Sequence, residues 1–348
     1  METLPEATRL LYTQLLSQCL QNAAPTGHGL SLVSKTIKGG KHWYLQVTVG
    51  SRKTQHYIGP DTNTVRDLIQ REKALWQSAA PDVADRQMLV DMLTRGGAHA
   101  TDSVEARVFE LLERAGLFIA GGVVVGSHAF AIYGNMLGAR WDSQITRTQD
   151  IDVATQTRVA IGVSDRKFNL RQAIADSDLG FIEVPALNRK EPTTQYRIRG
   201  RQLSVDILTP MFGRTSSKPI YLRALDVFAQ PVRFLDYLLA DTQPAVLAAR
   251  SGILVNVPSP ARYALHKLVT AERRVVAFQS KRQKDLSQAS QLLSMLARDR
   301  PGDLRRAWQA ARKQPGKFMQ QLLSGLAQQP QEVKSVVRKM AKLPNASR

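Results

Sequence analysis

The chain has 348 residues, 43% of them hydrophobic and 22% charged, which suits two or three folded domains and excludes wholesale disorder, a collagen-like repeat and a disulfide scaffold. Lys and Arg total 48 against 29 Asp and Glu, a formal charge of +19, so a polyanionic partner is expected, either nucleic acid or a phosphate-rich ligand. The excess is concentrated: residues 262–348 hold 19 basic and 5 acidic side chains, a net of +14, which reads either as a platform for RNA or DNA or as the solvated face of a helical tail. The single cysteine, Cys19, cannot form an internal disulfide, and the N-terminus lacks the basic stretch of a signal peptide; both features point to the cytoplasm.

In chain order, apolar side chains at helical spacing predict a helix over 4–20. Strand-like runs at 30–37, 43–49 and 55–58, punctuated by Gly39-Gly40 and Gly50-Ser51, predict a small antiparallel meander. Trp43, Tyr44 and Tyr57 with Lys41, Arg52 and Lys53 fit either ordinary strand packing, the favoured reading, or an RNA-stacking sheet. Helices are expected over 65–78 and 83–94, and another opens at Ser103. From 115 to 139 there is no charged residue, but the six glycines in that window argue for a buried strand (117–125) turning into a helix (127–136) rather than a membrane span. Strands are predicted at 150–154, 194–198 and 202–208, and the alternation of strands and helices argues for an α/β core. Beyond 219 helices are expected at 231–239, 260–278, 284–297, 303–313, 317–327 and 332–342, separated by Pro301, Pro315 and Pro330. This divides the chain into an α+β region over 1–100, a mixed-sheet core over 101–218 and a basic helical bundle over 219–348.

The chemistry concentrates in the core. Val123-Val124-Val125-Gly126-Ser127-His128 reads as strand, tight turn and helix, and backbone N–H groups at such a helix start suit phosphate; the plainer reading of Ser127 is an N-cap. His128 itself is expected to pack at the helix start. Asp150 and Asp152 are two apart, so in a strand they share one face while Ile151 and Val153 point inward. Two adjacent anions repel, and a divalent cation such as Mg²⁺ relieves the repulsion; the alternative is a solvated pair on an edge strand. Asp206 stands alone in the apolar strand Leu203-Ser204-Val205-Asp206-Ile207-Leu208 and needs a partner. If that strand neighbours the first, three carboxylates meet, as two-metal phosphoryl transfer requires.

A Gly-Ser turn followed by an Asp-Ile-Asp strand and a third strand-borne Asp resembles the nucleotidyltransferase superfamily, especially bacterial minimal nucleotidyltransferases and the AbiE-type toxin nucleotidyltransferases. The order continues through Tyr263-Ala264-Leu265-His266-Lys267-Leu268 and Lys284-Asp285-Leu286, so the resemblance covers about residues 108–297. It departs from many members in the 22-residue gap between Ser127 and Asp150, and Asp285 is not followed by a second spaced acid. The resemblance implies that Gly126 and Ser127 hold the β and γ phosphates of a nucleoside triphosphate. It implies that Asp150, Asp152 and Asp206 bind magnesium, two ions in all, and that Asp206 helps activate an acceptor hydroxyl. Lys267 and Lys284 would contact the triphosphate, and Arg147 would brace phosphate or a carboxylate. The expected reaction moves a nucleoside monophosphate to an acceptor hydroxyl, with RNA or tRNA as an acceptor suited to the basic tail. Members of this group also suggest an antitoxin-like protein partner. Two other readings stay open: a non-catalytic nucleic-acid-binding protein on the same scaffold, and an enzyme that modifies a small molecule or a protein.

Overall fold

A computed structural model describes residues 1–21, 30–37, 39–49, 52–142, 146, 148–156, 169–186, 188, 190–213, 218–274 and 278–341. Strand β1 (Glu2–Thr3) leads into helix α1 (Glu6–Gln21), whose buried side is Thr8, Tyr12, Leu15 and Cys19. The meander is present as β2 (Leu30–Ile37), β3 (Gly40–Val49) and β4 (Arg52–Pro60), all antiparallel. Thr62 then accepts from the Val65 N–H and starts α2 (Asn63–Arg95), a single helix of 33 residues where the sequence predicts two. Pro81 lies inside it. Around Gln77 the helix is exposed, so the carbonyl that proline deprives of a partner meets water and the helix does not end there.

Helix α3 (Ser103–Arg114) starts where Asp102 accepts from the Val104 N–H. The strand predicted over 117–125 shrinks to β5 (Val123–Val124), because Gly116 and Gly121 adopt positive φ and turn the chain before it. Helix α4 (Gly126–Leu137) follows, capped by Gly138 in the left-handed region, and β6 (Ala139–Arg140) pairs with β1. The long gap between Ser127 and Asp150 therefore carries the segment that docks the N-terminus.

The core sheet runs β11 (Ile220–Leu222), β12 (Val227–Val232), β10 (Ser204–Pro210), β7 (Asp150–Ala154), β5, with β9 (Gln195–Ile198) also on β10 and β8 (Phe181–Glu183) on β9. Strands β7, β10 and β12 are parallel, while β5, β9 and β11 run antiparallel to their neighbours. Residues 231–239 are not one helix: β12 ends at Val232, Phe234 turns at φ 67°, and only α6 (Leu235–Leu239) is helical, with the short helix α5 (Leu170–Asp176) lying earlier in the chain. The sequence reading also passed over the hairpin β13 (Thr242–Leu247) and β14 (Ile253–Pro258), closed by positive φ at Arg250 and Gly252.

The remaining chain is helical as expected: α7 (Pro260–Arg273), α8 (Gln279–Asp299), α9 (Pro301–Ala311), α10 (Gly316–Ala327) and α11 (Gln331–Ala341). One core joins the sheet to these helices through Val124, Ile151, Val205, Leu265, Leu292 and Phe318, all fully buried. A second joins α1 and α2 to the hairpin through Tyr12, Leu15, Leu93 and Val246. Cys19 is free and buried. Among the described residues no helix is long and apolar enough to cross a membrane.

Candidate active site

Strand pairing decides which acids meet. Asp206 on β10 stands directly opposite Asp152 on the parallel strand β7, and Ser204 opposite Asp150. Paired residues of parallel strands share a face, so the carboxylates of Asp150, Asp152 and Asp206 project from one side while Ile151, Val153, Val205 and Ile207 fill the core on the other. The edge-strand alternative for Asp150 and Asp152 is excluded by this topology, since β7 is flanked by β10 and β5.

The turn before α4 closes on the same point. The Val125 N–H donates to the Asp152 carbonyl at 2.9 Å. Gly126 sits at φ +63°, and a Cβ built there would lie 2.1 Å from Asp152 Oδ2. Glycine is thus required twice, by the backbone hand and by the neighbouring carboxylate. Ser127 is not the N-cap; that position is Val125, whose side chain cannot accept a hydrogen bond. No side-chain cap serves the start of α4, and Ser127 Oγ lies in its first turn, accepting from Gln288 Nε2 at 3.3 Å.

Buried polar groups hold this turn from behind. Tyr263 donates its hydroxyl to the Gly126 carbonyl at 2.7 Å and lies 3.1 Å from Gln288 Oε1. Tyr133 packs edge-on against Tyr263, ring centres 5.1 Å apart, and donates to the Pro258 carbonyl. In the sequence Tyr263 is one residue of the segment that carries the resemblance, with no role of its own, and Gln288 marks only the place where a second acid is missing. Their spacing on two helices gives no hint that both converge on one carbonyl and one hydroxyl.

Charge at the site is uneven. Burial raises the Asp152 carboxyl most, Lys267 opposes it, and Asp150 adds to it. Asp206 is pushed up to about 7, chiefly by burial and then by Asp152 and Asp150, while a hydrogen bond from Gln195 draws it down. Asp150 accepts from Ser204 Oγ at 2.9 Å through Oδ1 and faces Lys281 Nζ at 3.8 Å through Oδ2. Lys267 is buried and bonded to Asp285 Oδ1 at 2.5 Å, with Arg274 3.1 Å from Oδ2. Burial alone would raise Asp285, but Lys267 and then Arg274 outweigh it and hold that carboxyl low. Lys284 lies one turn along α8 from Lys281; burial lowers its ammonium, and Lys267 adds to the effect. Lys281 was not singled out by the sequence, because one more lysine in a basic helix carries no signal. Arg147 lies outside the described residues.

A cleft of about 570 Å³ opens beside Asp150, between the starts of α3 and α4 on one side and Lys281 and Lys284 on the other. Buried His128 borders it, its Nε2 3.5 Å from Glu105 and its ring edge-on to Phe109, so it packs at the helix start as expected. Of the three strand-borne acids only Asp150 lines the cleft; Asp152, Asp206, Gly126 and Ser127 do not.

The donor set fits a divalent cation: oxygen-only ligands, two of them abreast on adjacent strands, whose carboxyl groups burial and mutual repulsion push up. As placed, Asp150 is engaged by Ser204 and Lys281, and among the described residues no group of three or more His, Cys, Asp or Glu side chains is arranged to hold a metal ion.

Paired carboxylates on parallel strands beside a glycine-serine helix start are the arrangement that suits phosphoryl-group chemistry. A family model described as nucleotidyltransferase matches residues 103–313, from the first residue of α3 to just past the end of α9, and the chain belongs to that family. No curated protein and no solved structure matches the chain.

Proposed function

We propose that this nucleotidyltransferase uses magnesium and a nucleoside triphosphate to place a nucleoside monophosphate on a hydroxyl of an RNA acceptor. The observation that carries this is the register of Asp206 beside Asp152, with Gly126 pressed against the same carboxylate. When bound, divalent cations offset the negative charge that grows on the attacking and leaving oxygens. Asp152 and Asp206 are the pair that would hold them. Asp150 is the third ligand once Lys281 engages phosphate, which its exposed position on α8 permits.

The chain's own groups supply the rest. The N–H groups at the start of α4, which no side chain caps, and the Ser127 hydroxyl donate to phosphate oxygens. Lys281 and Lys284 flank the cleft and set positive charge against the triphosphate. Lys267, fixed by Asp285, stabilises the ionised form of Asp152 from beneath the site. Asp206 faces the acceptor hydroxyl and receives its proton as the oxygen attacks the α-phosphate, the bond to the β-phosphate breaks and pyrophosphate leaves. The net +14 of residues 262–348 is what favours RNA over a small-molecule acceptor.

The test is incubation with each α-labelled triphosphate, Mg²⁺ and total RNA. Label should pass to RNA with the wild type and not with Asp152→Asn, whose melting temperature should match or exceed the wild type because a buried charge has been removed. Label transfer by Asp152→Asn at the wild-type rate would remove Asp152 from the reaction. Label found only on a small molecule or a protein would replace the acceptor.

A further inference from the structure

Residues 30–60, which form β2, β3 and β4, contain five Lys or Arg and no Asp or Glu. This sheet meets the rest of the molecule through α2, which packs on β4. Trp43 belongs to that covered side: Lys73 of α2 lies 5.4 Å from its ring centre, and its indole N–H donates to Asp61 at 2.7 Å. Ordinary packing, the reading favoured from sequence, therefore holds for Trp43. The two tyrosines pack on each other across the strands and, among the described residues, are not covered by α2. Tyr44 and Tyr57 stand opposite one another on β3 and β4, on the other face, with ring centres 5.4 Å apart. Tyr57 is 57% exposed. His42 joins them, its Nδ1 3.1 Å from the Tyr57 hydroxyl, and Lys35 on β2 places its ammonium 5.3 Å from the Tyr44 ring. A row of neutral hydrogen-bonding groups lies next along the same face: Gln55 donates to Gln46, and Gln46 to Ser31.

The tyrosine pair steadies the strand pairing it spans, yet it leaves half-buried Tyr44 and exposed Tyr57 with ring surface open to a ligand. On a sheet whose only charges are positive it is suited to unpaired bases, since every base has a π-face to stack while its phosphates meet lysine. The Ser31, Gln46 and Gln55 groups can both donate and accept, which suits base edges and the ribose 2′-hydroxyl.

We propose that the open face of the β2–β3–β4 sheet binds single-stranded RNA, with bases stacked on Tyr44 and Tyr57 and Lys35 against the backbone. This goes beyond the catalytic assignment and is measured without nucleotide, so failure of transfer and failure of binding are separate results. The experiment titrates full-length protein into a fluorescein-labelled 12-nucleotide RNA and into the same strand carrying 2-aminopurine. Stacking should quench the 2-aminopurine. Loss of each ring should weaken binding about tenfold, so Tyr44→Ala/Tyr57→Ala should abolish the quench, whereas Tyr57→Phe keeps the ring and should keep both quench and affinity. Lys35→Ala should leave the quench and lower the salt dependence by about one ion. Circular dichroism confirms that the variants remain folded, as surface positions allow. Quenching or affinity within threefold of wild type in the double alanine variant would overturn the proposal. So would duplex RNA binding as tightly as the single strand, and equal binding of the matching DNA strand would overturn the assignment to RNA.

Discussion

Replacing Gly126 by alanine isolates the contact on which the site depends. The added Cβ would lie 2.1 Å from Asp152 Oδ2, a shortfall of about 1.3 Å from the 3.4 Å of ordinary contact. Alanine at φ +63° also meets the left-handed penalty of about 1–2 kcal/mol, and turning Asp152 off its rotamer adds about 1 kcal/mol. The sum, about 2–3 kcal/mol, corresponds to a fall in melting temperature of about 4–12 °C at ~2–4 °C per kcal/mol. Displacing a reacting group by about an ångström lowers turnover by about 100-fold. Gly121 supplies the control, with φ +84° and no atom within 4 Å of the would-be Cβ. Gly121→Ala should therefore show about 1–2 kcal/mol of strain and wild-type transfer. The assay pairs thermal unfolding with label transfer from an α-labelled triphosphate. Gly126→Ala retaining transfer within threefold of wild type would refute the reasoning, as would equal losses of transfer in the two variants.

Other consequences follow from buried groups around the site. Lys267→Met leaves Asp285 buried with Arg274 as its remaining charged partner, and should destabilise by about 3–5 kcal/mol; adding Asp285→Leu should restore much of this in denaturant titrations. Tyr263→Phe removes the donor from the Gly126 carbonyl, with an expected loss of about 1–2 kcal/mol in stability and a fall in transfer larger than that of Tyr133→Phe, which loses a bond to Pro258 instead. Glu113 lies beneath the hairpin, accepts from the Leu254 N–H at 2.9 Å, and is pushed by burial from 4.5 to about 7. The folded state holds that proton more tightly than the unfolded chain, so the contribution of Glu113 to stability is fully present below pH 4.5 and is lost as the pH rises to about 7. Glu113→Gln keeps the acceptor and removes the charge; its unfolding free energy should equal the wild type near pH 4.5 and exceed it at pH 8 by about 1–2 kcal/mol after allowance for partial exposure. A variant less stable than wild type at pH 8 would contradict this assignment of the proton.

Local pattern alone was enough for much of the architecture. Period-2 and period-3.6 spacing is set by backbone geometry, so the meander, the Asp150–Ala154 strand and the C-terminal helices could be read directly, as could the shared face of Asp150 and Asp152. The Gly-Ser turn and the third acid could be named as candidates for the same reason. Pairing could not be read, because it depends on contacts between segments distant in the chain. That Asp206 stands opposite Asp152, that Val125 bonds to the Asp152 backbone, and that Tyr263 and Gln288 brace the turn were decided only by the assembled sheet and the helices behind it. The same limit explains the failures. Pro81 sits in a helix because the freed carbonyl meets solvent, residues 242–258 form a hairpin because α1 and α2 cover it, and Lys267 is buried because Asp285 comes to meet it. Each outcome turns on which groups are desolvated together, and desolvation is a property of the packed molecule.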